Sequence, residues 1–200
     1  MRKSLYVLYL TFYPIQSQCL EKLDSDFLIR FGQTDASVQI VHYFSFTCPH
    51  CIGLYRKEFC AFQAKYLTDP DVSCIFHPVP MDLLTVQAMD CLEKLSEKEK
   101  RIFFSALFEI IPIDHSVETI QYMLKAMEIF EKPLPNLQDK EYLSNTRAFK
   151  EAFLFLKQEE KIQAVPAVEI NGEFFSNALP TLEFIDSHLK QLLKPNEKRL

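Results

Sequence analysis

The sequence predicts an α/β protein with strands near both ends of the chain and helices filling its middle. Three observations carry that prediction. A β-branched and aromatic run, Val38-Gln-Ile-Val-His-Tyr-Phe-Ser-Phe46, leads straight into apolar residues at helical spacing from Cys51 onward. Strand signals then stop between His77 and Pro166. They return at Ala167-Val-Glu-Ile170, where Asn171-Gly172 makes a two-residue hairpin turn into Glu173-Phe-Phe-Ser176.

Taken in order, the chain opens with the basic Met1-Arg2-Lys3-Ser4 and the apolar Leu5–Ile15 run, which has the length of a signal-peptide core and is too short to span a bilayer well. Residues 1–19 therefore read as a secretory signal, cut near Ser17-Gln18-Cys19. A lipid anchor at Cys19 is less well supported, because Gln18 stands where a small residue is required. The competing reading makes this run a first core strand. After the 38–46 strand, Thr47 is placed to cap a helix with Pro49 in its first turn. Val72-Ser-Cys-Ile-Phe-His77 is the next strand, closed by Pro78-Val79-Pro80. Helices are expected over about 83–95, 97–111, 116–130 and 140–162, with starts at Ser96-Glu-Lys-Glu and Ser116-Val-Glu-Thr and breaks at Pro112, Pro133 and Pro135. An amphipathic helix over Leu182–Leu193 closes the fold, and the charged tail 194–200 is expected to fray. The domain reading is thus 20–81 with 163–200, interrupted by a helical insertion over 82–162.

Composition narrows the function. With 200 residues, 48% hydrophobic and 24% charged, the chain has material for one core and one insertion. A net charge of −5 without a basic, aromatic-rich face argues against nucleic acid, and three glycines leave no phosphate-cradling loop.

The chemistry-bearing motif is Cys48-Pro49-His50-Cys51, at the junction of strand and helix. Unpaired N–H groups at a helix start stabilise a thiolate, so Cys48 is expected to be the acidic, attacking sulfur. Protonated His50 beside it would favour the thiolate further. Cys51, one turn on, suits the inward-facing resolving role. Spacing argues against the other chemistries open to such a pair. Zinc needs two more ligands, yet there is no second Cys-x-x-Cys and the other histidines are scattered, so no metal is expected. Haem attachment needs a histidine where Ile52 stands. A buried structural pair is unattractive with proline and histidine between the cysteines. Of the remaining cysteines, Cys60 is expected as a packed core thiol, while the pairing among Cys60, Cys74 and Cys91 is not deducible from spacing.

Phe44-Ser-Phe-Thr-Cys-Pro-His-Cys51 together with Ala164-Val-Pro-Ala167 resembles DsbA, the exported bacterial thiol:disulfide oxidase family. The order of elements is similar over about 27–193, while residue-level likeness is confined to those two stretches and the Asn171-Gly172 turn. The resemblance implies a thioredoxin fold with an inserted all-helical domain, Cys48 as nucleophile, Cys51 as its partner and His50 as stabiliser of the reduced form. It also implies that Pro166 is a cis-proline against the disulfide, with the Val165 backbone pairing to an extended substrate strand. No cofactor beyond the Cys48–Cys51 disulfide is implied. Implied partners are newly exported, extended polypeptides in the periplasm and a reoxidising, quinone-linked membrane protein of the DsbB type, with the chain itself a monomer.

One position departs from the pattern. Thioredoxin-fold enzymes usually carry a buried acid six residues before the first cysteine, and here His42 stands there. A neutral imidazole can serve as a proton relay, although a satisfied core histidine is the slightly preferred reading. His77, His115 and His188 lie in no motif and read as solvated or packing residues. The function expected is a dithiol oxidase. The alternatives are an isomerase or reductase of the same compartment, and a non-catalytic peptide- or metal-binding module.

Overall fold

The computed structural model describes residues 25–110, 139–158, 162–175 and 180–193. A short 3-10 turn, Ser25–Phe27, leads into five strands: β1 (Ile29–Gly32), β2 (Val38–Phe44), β3 (Val72–Pro78), β4 (Ala167–Ile170) and β5 (Glu173–Phe175). They form one sheet in the order β1-β3-β2-β4-β5. Only β2 and β3 run parallel, the pairing that needs a long crossover. That crossover is helical: α1 (Pro49–Leu54), a π-helical segment Tyr55–Phe59, and α2 (Cys60–Tyr66).

Both central strands are covered on both faces, which is why they read as continuous apolar runs rather than as alternation. Strand parity sorts the side chains. Ile40, Phe44, Cys74, Phe76, Val168 and Ile170 join the larger core cluster on one face. Val41, Tyr43, Ile75 and Ala167 turn to the other face, with Phe27, Leu28, Met89 and Phe155.

Every described element between β3 and β4 is helical: α3 (Leu83–Leu92), α4 (Glu97–Ile110), α5 (Lys140–Asn145) and α6 (Arg147–Gln158). Ser96 and Glu99 form the expected capping box ahead of α4, with the Ser96 N–H donating to Glu99 Oε2 at 2.8 Å. Helix α4 carries the Phe104 and Phe108 rings onto Phe44, Phe46, Tyr55 and Phe76, at centroid separations from 4.4 to 6.1 Å. Aromatic contacts of this kind each contribute about 0.5–1.5 kcal/mol beyond their buried area. Helix α4 is thereby packed against β2, the turn that follows it and the π-helical segment after α1. Helix α7 (Leu182–Leu192) completes the described fold, with Thr181 Oγ1 capping it by accepting the Phe184 N–H at 3.2 Å.

Several expectations are corrected. The short strand β1 is absent from the sequence reading; four residues with one alternation, Ile29-Arg-Phe-Gly32, give too weak a period to detect. Gly32 is required there, since a Cβ would meet the Val72 carbonyl at 2.5 Å at a φ of +86°. The predicted 140–162 helix is two helices, because Thr146 is extended (φ −67°, ψ 155°) and its hydroxyl accepts the Phe149 N–H to start α6. The strand expected over 38–46 is β2 and ends at Phe44 rather than Phe46, and Thr47 is not the cap of α1. The hairpin turn is as read: Asn171 and Gly172 take φ +48° and +86°, as a two-residue turn of this type requires. The signal reading of 1–19 and the helix expected over 116–130 with His115 lie outside the described residues.

Candidate active site

Strand β2 ends at Phe44, the turn Ser45-Phe46-Thr47 follows, and α1 begins at Pro49. Pro49 occupies the first helical position, where its missing N–H leaves no bond unmade. The cap is Cys48 itself, extended at φ −75°, ψ 115°, whose Sγ accepts the Cys51 N–H at 3.4 Å. A sulfur thus takes the capping place usually held by an oxygen. Both cysteines are thiols, Cys48 half-buried and Cys51 buried at 5% exposure. The Val165–Pro166 bond is cis, and the Val165 carbonyl accepts from the Cys48 thiol at 3.4 Å. Pro49 and His50 face solvent.

The two sulfurs titrate in opposite directions. The Cys51 thiol beside it does most to hold the Cys48 thiol down, at about 6; burial opposes this, while the Cys51 and His50 N–H groups and the His50 charge assist. The same contact, followed by burial, pushes Cys51 far above the ordinary thiol range. The proton of the pair is therefore favoured on Cys51, and above about pH 6 Cys48 passes to the thiolate and gives up its bond to the Val165 carbonyl.

Behind Cys51 lies a narrow cavity of about 40 Å³, lined by His42, Cys51, Glu58, Phe62, Pro166 and Ile185 among others. It has room for one or two waters. His42 projects from β2 into this space, stacked on Phe76 at 5.1 Å and edge-on to Phe62 at 6.5 Å. Burial lowers its pKa to about 4, so the ring is neutral across the physiological range. The fold brings His42, Cys51 and Pro166 to one cavity, and Cys48 to Val165 at its outer side.

Sequence reading missed the polar support of this turn. Asp82, the N-cap of α3, accepts the Thr85 N–H on Oδ1 at 2.8 Å. Its Oδ2 accepts the hydroxyls of Ser45 (2.8 Å), Thr47 (2.9 Å) and Thr85 (2.8 Å). The Asp82-Leu-Leu-Thr85 start carried a helix-start signal, but nothing in the sequence ties it to Ser45 and Thr47.

Cys60 corrects another expectation, for it is exposed rather than packed. Phe59, Phe62 and Tyr66 take the inward positions at i, i+3 and i+7, which turns Cys60 outward. Cys74 and Cys91 are buried thiols, and burial raises both. His77 is a packed residue, fully buried between the Tyr43 and Phe155 rings. Among the described residues no group of three or more His, Cys, Asp or Glu is placed to hold a metal ion.

A dithiol at a helix start, faced by a cis-proline loop on a mixed five-stranded sheet, places the protein among the thioredoxin-fold thiol:disulfide oxidoreductases. The chain belongs to the thioredoxin family, whose model, described as Thioredoxin, matches residues 26–190. Similar solved structures include α-DsbA1 of Wolbachia pipientis, at 18% identity and TM-score 0.69, with 88% of this chain and 94% of that one covered. Oxidised BdbD of Bacillus subtilis matches at 18% identity and TM-score 0.67, covering 85% and 95%. A protein-disulfide isomerase from Novosphingobium aromaticivorans matches at 13% identity and TM-score 0.65, covering 84% and 98%. At these identities the likeness concerns the fold. No curated protein matches the chain in sequence.

Proposed function

We propose that the protein is an exported dithiol oxidase that introduces disulfides into newly translocated polypeptides through Cys48 and Cys51. The observation that carries this reading is the geometry of the pair: Cys48 caps α1 by accepting the Cys51 N–H at 3.4 Å beside the cis-Pro166 loop while Cys51 is buried, an arrangement that lowers the Cys48 thiol and raises Cys51. A stabilised Cys48 thiolate favours the reduced form and makes the disulfide a strong oxidant. The basic start Met1-Arg-Lys3 and the apolar 5–15 run support export to the periplasm.

In the reaction, a substrate thiolate attacks Sγ of Cys48, the Cys48–Cys51 bond breaks, and Cys51 leaves as a thiolate that takes a proton. The second substrate thiolate then attacks the substrate sulfur of the mixed disulfide and expels Cys48 as a thiolate. Two electrons pass from substrate to protein. The Val165 carbonyl, 3.4 Å from Cys48 Sγ, is placed to pair with an extended substrate backbone, with Pro166 beside it. On reoxidation, by a quinone-linked membrane partner of the DsbB type, neutral His42 accepts the Cys51 proton through the cavity. Residues 20–81 and 163–200 form the thioredoxin-like unit in this reading, and 82–162 the inserted helical one.

The deciding test equilibrates Cys48–Cys51 against graded glutathione buffers, with free thiols alkylated and located by peptide mass. An oxidase stays reduced until the buffer is strongly oxidising. Ready oxidation in a reducing buffer would make the protein an electron donor and put a reductase or isomerase in its place.

A further inference from the structure

We infer that Asp82 is a positioning residue for the dithiol: its carboxylate latches the Ser45–Thr47 turn to the start of α3, and so holds Cys48 where the Cys51 N–H reaches its sulfur. The inference rests on the reading of Cys48 as the attacking thiol.

Capping α3 needs only the Thr85 amide, which Asp82 Oδ1 takes at 2.8 Å. The other oxygen does something capping does not require. It gathers hydroxyl donors from Ser45 and Thr47, which lie 37 and 35 residues upstream in the turn that presents Cys48. The turn closes on itself around these bonds. The Thr47 N–H donates to Ser45 Oγ at 3.1 Å, and the Cys48 N–H donates to the Ser45 carbonyl at 3.3 Å. Ser45 is buried at 3% exposure, so its hydroxyl would be costly to leave unpaired. One carboxylate therefore ties the first inserted helix to the residue before the nucleophile. The neighbouring ladder does the same with backbone, as the Val79 N–H donates to the Phe44 carbonyl at 2.7 Å.

Loosening the turn lets Cys48 leave the geometry in which the Cys51 thiol and the Cys51 N–H face its sulfur, so the thiolate loses both donors. Asp82→Ser keeps a helix-capping side chain but is too short to bridge to Ser45 and Thr47. Thr47→Val removes one hydroxyl and leaves Asp82 and its cap in place. In the reduced full-length protein, the rate of Cys48 alkylation is followed against pH by peptide mass, beside the thermal midpoint. For wild type the profile should break near 6. Asp82→Ser should raise that break by about one pH unit or more, so that alkylation at pH 5 slows on the order of tenfold, and Thr47→Val should raise it by less. A lowered thermal midpoint with an unmoved profile overturns the inference and leaves Asp82 a cap only. If Asp82→Ser does not fold, an unmoved Thr47→Val profile overturns it equally. A wild-type Cys48 that titrates as an ordinary thiol overturns the site reading itself, whereas an acidic wild-type Cys48 with both variants unmoved overturns this inference alone.

Discussion

Cys48 and Cys51 stand three residues apart on one helix start, yet one lies half-buried at the surface and the other is buried against a narrow cavity. At the outer position the sulfur caps the helix and collects donors, and its acidity rises. At the inner position the contact with Cys48, followed by burial among rings and the cis-proline, drives the thiol the other way. His42 shares the inner environment and responds as burial dictates, as a neutral imidazole. The difference teaches that two identical side chains in contact divide one proton unequally: the contact does most to split their acidities, and burial on the cavity side drives Cys51 further up.

Removing one sulfur at a time breaks the comparison most severely. Cys48→Ser should reduce dithiol oxidation to the background rate, since the more accessible sulfur of the pair is gone. Cys51→Ala should retain attack by Cys48 and accumulate mixed disulfides with substrate proteins, visible on non-reducing gels. Equal loss in both variants without any trapped adduct would contradict the division of roles.

Acid sensitivity of the inner environment is the next largest effect. His42 ionises at about 4 when folded and near 6.5 when unfolded, so the unfolded chain binds the extra proton between those values. Stability should therefore fall as pH drops from 6.5 towards 4, by roughly 3 kcal/mol for this group alone. His42→Phe, which can stack on Phe76 and Phe62, should flatten that limb in denaturant titrations at pH 4 and 7. An acid limb as steep as that of wild type would show that the ring is solvated when folded.

The same contrast explains what the sequence made legible. Strand β2, the helix start at Pro49, the hairpin at Asn171-Gly172 and the helical middle were readable because each rests on local period or turn chemistry. The two cysteines were readable because their spacing from the helix start is also local. The Asp82 bridge, the cavity behind Cys51 and the outward face of Cys60 were not, since each depends on residues tens of positions apart or on which helix face wins the core. Thr47 shows the limit well: its hydroxyl fitted a cap by pattern, but Asp82 takes that hydroxyl and leaves the cap to a sulfur.

The pH dependence of the redox couple sharpens the comparison further. Below about pH 6, reduction of the disulfide takes up two protons, one on each sulfur; above it, Cys48 stays a thiolate and only Cys51 is protonated. Each proton adds about 30 mV per pH unit to a two-electron couple, so the slope should halve near pH 6. The potential measured against glutathione from pH 5 to 8 checks this. One unbroken slope through that range would place the Cys48 thiol outside it.

His50 should give the smallest effect, and its size separates backbone from side chain at the outer position. The His50 N–H and the His50 charge both favour the Cys48 thiolate, with the charge the last of the contributions, and the ring faces solvent. His50→Ala keeps the N–H, so the Cys48 alkylation profile should move up by only a few tenths of a pH unit at low salt. Because the ring is exposed, that small shift should shrink further at high ionic strength. A rise beyond about one pH unit, insensitive to salt, would mean that the imidazole bonds the sulfur directly, and that His50 rather than the Cys51 thiol and the helix-start N–H groups does most for the acidity of Cys48.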